Sequence, residues 1–163
     1  MAWKFSVLVV ANVTATSDEL LAAMKGKLER GACDFTLLVP PTGGGQEGRD
    51  AAQAGLDAAL QRMRAEGLSV EGKIGDPDPV AAVHEIWDPM RFDEVLISTL
   101  PTGASRWLAV DLPHRVEKLT GVQVEHVVAE PPRPEVRTER VARRESSGLL
   151  TPLTAITGKR ENP

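Results

Sequence analysis

The chain has 163 residues, about the usual size of one domain, and its 42% of hydrophobic residues are enough to form a core. Its formal net charge of −4 offers no basic surface for nucleic acid, so we expect no nucleic-acid partner. No apolar run approaches the roughly 20 residues that span a bilayer, the first residues lack a signal-peptide pattern, and Cys33 is the single cysteine. We therefore expect a cytoplasmic protein with no membrane contact and no internal disulfide.

Five short runs rich in apolar residues predict β-strands. In chain order they cover residues 5–11, 35–39, 68–74, 94–100 and 122–128. The first is nearly all apolar, which is typical of a central parallel strand that is covered on both faces. The third is short and alternates between apolar and polar residues, as a strand at a sheet edge does.

Helical patterns follow each of the first four strands. Their predicted starts are Ser17, Asp50, Asp78 and Ser105. Serine and aspartate are favourable N-cap residues, because their side chains accept hydrogen bonds from the free N–H groups of the first turn. Pro113 must break or restart the fourth helix, since proline lacks the amide hydrogen and clashes with the preceding turn.

Strands that alternate with helices predict a parallel sheet with right-handed crossovers. We therefore predict an α/β fold in which a five-stranded parallel sheet is sandwiched by four helices, a Rossmann-like arrangement of three layers. Residues 1–129 form this domain. In such sheets a ligand binds at the carboxyl ends of the strands, where the strand order reverses.

The character of the chain changes after residue 129. Pro131, Pro132 and Pro134 indicate a linker, residues 135–145 are highly charged, and residues 149–157 are apolar again. Two interpretations of this C-terminal extension, residues 130–163, are open. It is a loose tail, or its apolar stretch docks on the domain or on a second subunit.

The element order, with a turn at Gly75-Asp76-Pro77 before the third helix, resembles the universal stress protein family over residues 4–129. The related adenine-nucleotide α-hydrolases share this fold. In the nucleotide-binding branch of the family, the fourth strand leads into a G-x2-G-x9-G-[S/T] motif, whose glycines let the backbone approach phosphates. The first strand of those members ends in an aspartate near the ribose and adenine.

All four positions of that motif are substituted in this chain. The three glycine positions fall on Ser98, Pro101 and Asp111, and the hydroxyl position falls on Leu112. Pro101 removes an amide donor, and Asp111 puts a carboxylate where phosphate oxygens would lie. The resemblance therefore implies a non-catalytic module of the universal-stress-protein type, without standard ATP binding and with no cofactor.

The alternative function is binding of an adenine nucleotide, ATP or AMP, or of another small anion through a rearranged loop at residues 98–112. The family's aspartate position falls on Asn12, which can still form hydrogen bonds. The candidate crevice residues are Asn12, Val39, Ser98, Gly103, Ser105 and Arg106. Arg106 can pair with an anion, and an ordinary capped helix with a surface arginine explains the same loop residues.

The sequence contains no catalytic or metal-binding motif that we recognise. The glycines at residues 43–45 are not followed by the Gly-Lys-Ser/Thr of a P-loop, and His84, His114 and His126 show no metal spacing. An enzyme of the α-hydrolase fold would need a pyrophosphate loop after the first strand, and none is present there. We therefore predict no catalytic residues and no metal site.

The expected partner is a second copy of the chain. The last predicted strand, residues 122–128, would lie at an edge of the sheet, and exposed edges invite pairing. Members of the family commonly dimerise there, so the resemblance implies a homodimer through this strand. The C-terminal extension is a second candidate contact.

Overall fold

The computed structural model describes residues 4–101 and 103–130. The strands are β1 (Phe5–Val10), β2 (Cys33–Val39), β3 (Val70–Ile74), β4 (Glu94–Thr99) and β5 (Val124–Val128). The helices are α1 (Asp18–Arg30), α2 (Gly45–Ala65), α3 (Pro79–Ile86), α4 (Arg106–Ala109) and α5 (Leu112–Thr120). From residue 131 on, the predicted extension lies outside the described residues, so both interpretations of it stay predictions.

The five strands form one parallel sheet in the order β3-β2-β1-β4-β5, which confirms the predicted fold class. β1 occupies the middle of the sheet, and its residues Val7, Leu8, Val9 and Val10 are fully buried. An all-apolar strand is stable there because both of its faces are covered. The chain runs outward from β1 through β2 to β3 and then returns to β4 on the other side of β1, so the strand order reverses between β1 and β4.

Helices cover both faces of the sheet, because successive residues of a strand point to opposite faces. The buried odd-numbered residues of β1 belong to a core that includes Met24 of α1 and Leu56 of α2. The buried even-numbered residues belong to a second core that includes Val83 of α3 and Val116 of α5. None of the helices in the described part of the chain is long and apolar enough to cross a membrane.

The fourth predicted helix is divided into α4 and α5. Asp111 lies between them with a left-handed backbone, at φ 54° and ψ 49°, and this conformation interrupts the helical path. Across residues 4–101 and 103–130 it is the one residue other than glycine with a positive φ. Pro113 lies in the first turn of α5, where a backbone N–H has no partner within the helix, so its absence in proline costs no hydrogen bond. The break expected at this proline therefore occurs two residues earlier.

The second helix begins at Gly45, five residues before the predicted start at Asp50. Glycine has a low helix propensity, so a glycine-rich first turn carries no helical signal in the sequence. In the structure a Cβ atom at Gly48 would lie 2.2 Å from the carbonyl oxygen of Gly43. Glycine at residue 48 permits this close approach, and the residues directly before Asp50 form a helical turn.

Three of the four predicted helix starts carry a side-chain cap. Ser17, Asp78 and Ser105 each accept a hydrogen bond from a backbone N–H of the first turn, at 3.1, 3.1 and 3.2 Å. The turn before α3 depends on Gly75, where a Cβ atom would lie 2.7 Å from the Cβ atom of Ala82. Glycine therefore lets α3 pack close to the sheet at this turn.

Cys33, the single cysteine, begins β2 and is buried, as predicted. Its thiol donates weak hydrogen bonds to the carbonyl oxygens of Gly31 at 3.5 Å and Lys27 at 3.7 Å. Burial raises the pKa of the Cys33 thiol. A protonated, enclosed thiol is a poor nucleophile, so this cysteine acts as a packing residue.

Lys27 of α1 holds the edge strand β5 against the rest of the sheet. Its side chain is only 7% exposed, and its ammonium group lies 2.5 Å from Glu94 of β4 and 2.7 Å from Glu125 of β5. Burial by itself would lower the pKa of Lys27, but the hydrogen bonds that its ammonium group donates to Glu125 and Glu94 outweigh this effect and raise the pKa above 10.5. One cation thus links a helix and two strands.

We expect Lys27→Met to lower the free energy of unfolding by about 1–2 kcal/mol at pH 7, because the two carboxylates lose their shared cation. Since folding raises the pKa of Lys27, its contribution is complete below pH 10.5 and is lost as the pH rises through the higher pKa of the folded state. Urea unfolding at pH 7 and in steps above pH 10 measures both effects.

The matched control is Lys25→Met on the same helix. Lys25 pairs with Glu66 at 2.7 Å, but both side chains are more than 40% exposed. An exposed pair of this kind contributes within about 0.5 kcal/mol, so this variant should unfold close to the wild type. Equal losses in the two variants would contradict the role assigned to Lys27.

Candidate functional site

Two adjoining clefts open at the carboxyl ends of the central strands. The β1/β4 cleft has a volume of about 210 Å³ and lies where the strand order reverses, and the β1/β2 cleft beside it has a volume of about 170 Å³. Asn12, Val13 and Thr42 line both clefts, and together we call them the crevice. This is the part of an open α/β sheet in which ligands generally bind.

The floor of the β1/β4 cleft is closed by a pair of buried hydroxyl groups. The Ser98 hydroxyl donates a hydrogen bond to Thr14 Oγ1 at 2.8 Å, and the Thr14 hydroxyl donates to the carbonyl oxygen of Ser98 at 3.2 Å. Both side chains are nearly fully buried. Because each hydroxyl proton is engaged by the other residue, this pair connects β4 to the segment after β1 and offers no free donor to a ligand.

A second hydroxyl of the same cleft pairs with a histidine. Thr99 Oγ1 lies 2.9 Å from the carbonyl oxygen of Leu100, to which it can donate, and 2.8 Å from Nε2 of His126, where the tautomer of the ring decides which atom donates. Burial lowers the pKa of His126, which favours the neutral ring. This hydroxyl–histidine pair is not apparent from the sequence, because Thr99 and His126 meet only through the pairing of β4 with β5.

Among the described residues, no carboxylate orients the other nitrogen of His126. Covalent catalysis by a hydroxyl uses a base that is in turn oriented by a third group. No group of three or more potential metal-binding side chains occurs in residues 4–101 and 103–130.

Asn12 marks the end of β1 at the centre of the crevice. Its amide nitrogen donates to the carbonyl oxygen of Pro40 at 2.9 Å, which fixes the orientation of the side chain. Val13 follows with its side chain 60% exposed, although it lies between the two clefts. Leu100, Ala104 and Trp107 add further apolar surface to the β1/β4 cleft.

The loop after β4 brings a charged side chain to the crevice. The carbonyl oxygen of Pro101 accepts backbone hydrogen bonds from Ala104 at 3.0 Å and Ser105 at 3.1 Å, and Gly103 has a positive φ of 98° within this turn. Arg106 then lines the cleft, and its guanidinium has no ion pair with any described residue. Among the described residues that line the crevice, the one formal charge is therefore positive.

The structure brings most of the predicted crevice residues together. Asn12, Ser98, Ser105 and Arg106 line the β1/β4 cleft, and Val39 lines the β1/β2 cleft. Gly103 belongs to the adjacent turn and does not line either cleft. Seven further residues line the β1/β4 cleft and were not predicted from the sequence: Val13, Thr14, Thr42, Thr99, Leu100, Ala104 and Trp107. Most of them follow the carboxyl end of a strand, and this position in the chain was the one sign that could have identified them.

The substituted motif positions lie in different environments. Ser98 is in the floor, and Pro101 begins the turn after β4. Asp111 is exposed and Leu112 is fully buried in the core beside Val116, and neither lines the crevice. Asp111 nevertheless has the left-handed conformation that glycine adopts most readily, at a position where the resemblance places a glycine.

No protein-family model and no curated protein matches the chain. Among solved structures, a universal stress protein in complex with cAMP is similar, with a TM-score of 0.54 and 17% identity over 79% of this chain and 99% of that chain. A universal stress protein from Archaeoglobus fulgidus matches with a TM-score of 0.49 and 17% identity over 76% and 94% of the two chains. Its complex with dAMP matches with a TM-score of 0.49 and 16% identity over 78% and 99%. At these identities the likeness shows the fold, and the chain has the fold of universal stress proteins.

We expect Asp111→Val to lower the free energy of unfolding by about 1–2 kcal/mol, because a β-branched side chain is strained in a left-handed conformation. Asp111→Gly is the matched control. It removes the same carboxylate but suits the positive φ, so it should unfold at or above the denaturant concentration of the wild type. Equal stability of both variants in urea unfolding would contradict the left-handed assignment.

Proposed function

We propose that this protein is a non-catalytic module of the universal-stress-protein type that acts as a homodimer and does not bind ATP in the standard way. The observation that carries this proposal is the burial and charge of the residues that occupy the motif positions after β4. Leu112, at the hydroxyl position, is fully buried in the core, and Asp111, at the third glycine position, carries an exposed carboxylate at the start of α5.

The charges of the crevice support the same proposal. A triphosphate carries several negative charges, and Arg106 is the only charged side chain that lines the crevice in the described part of the chain. Magnesium accompanies ATP in proteins and usually takes a carboxylate ligand. The described lining residues include no carboxylate, so neither the phosphates nor their metal ion would be compensated there.

The alternative is a small-anion or adenine-nucleotide binding protein that uses the loop at residues 98–112. The observation in its favour is that Ser105 and Arg106 both line the cleft and that the Arg106 guanidinium has no ion pair with a described residue. The structural relative in complex with cAMP holds a ligand with a single negative charge. One arginine matches that charge better than it matches ATP.

The dimer proposal rests on the exposed edge of β5. Within the described residues this strand pairs with β4 on one side only, and three of its residues, Glu125, His126 and Val128, are exposed. The N–H of Ala129 donates to Thr99 of β4, and peptide groups alternate along a strand, so the N–H of Val128 points away from the sheet. Such free edge groups favour pairing with a second chain.

The first test is isothermal titration calorimetry with Mg-ATP, together with mass spectrometry of any ligand that co-purifies. We expect no binding heat and no co-purified ATP. In a thermal scan, a ligand at 100 times its Kd adds about 2.7 kcal/mol, which shifts Tm by several degrees, and we expect no such shift with ATP. Micromolar binding of ATP would overturn the proposal.

The dimer is tested by light scattering on Val128→Pro and Val128→Ala. Proline deletes the outward N–H, and an edge strand tolerates it there because that N–H makes no bond within the sheet. We expect a monomer for the proline variant and a dimer for the alanine variant, which keeps the N–H. A dimer in both variants would exclude pairing through β5, and circular dichroism checks that both are folded.

A further inference from the structure

The charge of the crevice limits the ligands that it can take. Among the described residues that line either cleft, Arg106 is the only one with a formal charge. Arg106 is exposed, and its single charge would leave a bound dianion with one negative charge that no described lining residue compensates. A neutral ligand would leave the guanidinium unpaired. A single negative charge on the ligand balances the site.

The walls of the crevice favour an apolar body on the same ligand. Val13 is 60% exposed between the two clefts, and Trp107, Leu100 and Ala104 line the β1/β4 cleft. An apolar group laid over Val13 would remove this surface from water, which is favourable in proportion to the area covered. The indole of Trp107 favours a flat ring as the contacting group.

Among the described residues that line the crevice, the groups left free for a ligand include the hydroxyls of Ser105 and Thr42 and the Oδ1 atom of Asn12. The Ser98 and Thr14 hydroxyls are bonded to each other, and Thr99 is engaged with Leu100 and His126. Ser105 accepts a hydrogen bond at its oxygen, so its own proton stays available beside the Arg106 guanidinium. An anionic oxygen placed between these two donors would receive charge-assisted hydrogen bonds.

The size of the β1/β4 cleft suits a small ligand. Its volume of about 210 Å³ lies below the range of about 300–1,000 Å³ that is usual for pockets that hold drug-sized molecules. A ligand of one or two fused rings fits such a volume. A larger ligand would extend into the adjoining β1/β2 cleft, of about 170 Å³, or out of the crevice.

From these four observations we propose that the β1/β4 cleft binds a small aromatic monoanion of the carboxylate class. The carboxylate lies against Arg106 and Ser105, and the ring covers Val13 beside Trp107. This proposal rests on the proposed function, because it assumes that the crevice is not occupied by ATP. It assigns a ligand class and a specificity-determining residue, Arg106, to that site.

The test is calorimetric titration of the full chain with 2-naphthoate and with its neutral isostere 2-naphthamide, at fixed ionic strength. We expect the carboxylate to bind about tenfold more tightly or better, because a hydrogen-bonded charge pair is lost in the amide. Arg106→Gln should bring the two affinities together by weakening the carboxylate alone. Val13→Ser should weaken both ligands by a similar factor, because both lose the same apolar contact.

Arg115→Gln is the matched control. Arg115 is an exposed arginine of α5 without an ion pair to a described residue, and it does not line the crevice. This variant changes the net charge of the chain as much as Arg106→Gln does, and it should keep the preference for the carboxylate. Loss of the preference in Arg115→Gln would show a long-range charge effect and overturn the assignment of Arg106.

Three further outcomes would overturn the proposal. They are equal affinities of the wild type for the carboxylate and the amide, tighter binding of the dianion AMP than of 2-naphthoate, and no binding of 2-naphthoate at millimolar concentration. If 2-naphthoate fails and Mg-ATP also fails to bind, the ligand class is wrong and the proposed function stands. If Mg-ATP binds at micromolar concentration, the proposed function itself is wrong.

Discussion

The burial of β1 on both of its faces is the constraint on which the rest of the structure depends. Four consecutive fully buried residues need helices above and below them and strands on both sides, and the order β3-β2-β1-β4-β5 supplies all of these. This order requires the chain to cross from one side of β1 to the other. The crevice opens at the carboxyl ends of β1 and β4, where the segments after these two strands lead away in different directions. Asn12 and Val13 reach the centre of the crevice because they directly follow this strand.

The chemistry of the crevice differs from a phosphate-binding site in how its donors are used. The Ser98 and Thr14 hydroxyls bond to each other, so the position after β4 is closed by side chains where a glycine would leave room for phosphate. The start of α5 follows a left-handed residue, Asp111, and continues into the core with Leu112. Among the described residues that line the crevice, the Arg106 guanidinium carries the only formal charge. These features support a module that binds a weakly charged ligand, or none, in preference to a nucleoside triphosphate.

The sequence predicted the elements better than it predicted their limits. Apolar runs identified all five strands, and the caps at Ser17, Asp78 and Ser105 marked three helix starts, because both signals are local. The predicted start of α2 was wrong. Glycine disfavours a helix, so the glycines of the first turn gave no helical pattern, and the close approach of Gly43 to Gly48 is visible only in the structure. Asn12, Ser98, Ser105 and Arg106 were identified because they lie at or after the carboxyl ends of strands. The apolar surface at Val13 and Trp107 was not predicted, because it depends on which segments face each other across the cleft.

By itself the sequence determined the class of fold and the central position of β1. These follow from the order of hydrophobic runs, which does not depend on distant contacts. Only the tertiary structure decided which hydroxyls of the described residues are free, that Thr99 meets His126, that Lys27 joins two strands, and that Arg106 carries the only charge among the described lining residues of the crevice. Those facts depend on strand register and on burial, and both are set when segments far apart in the chain pack together.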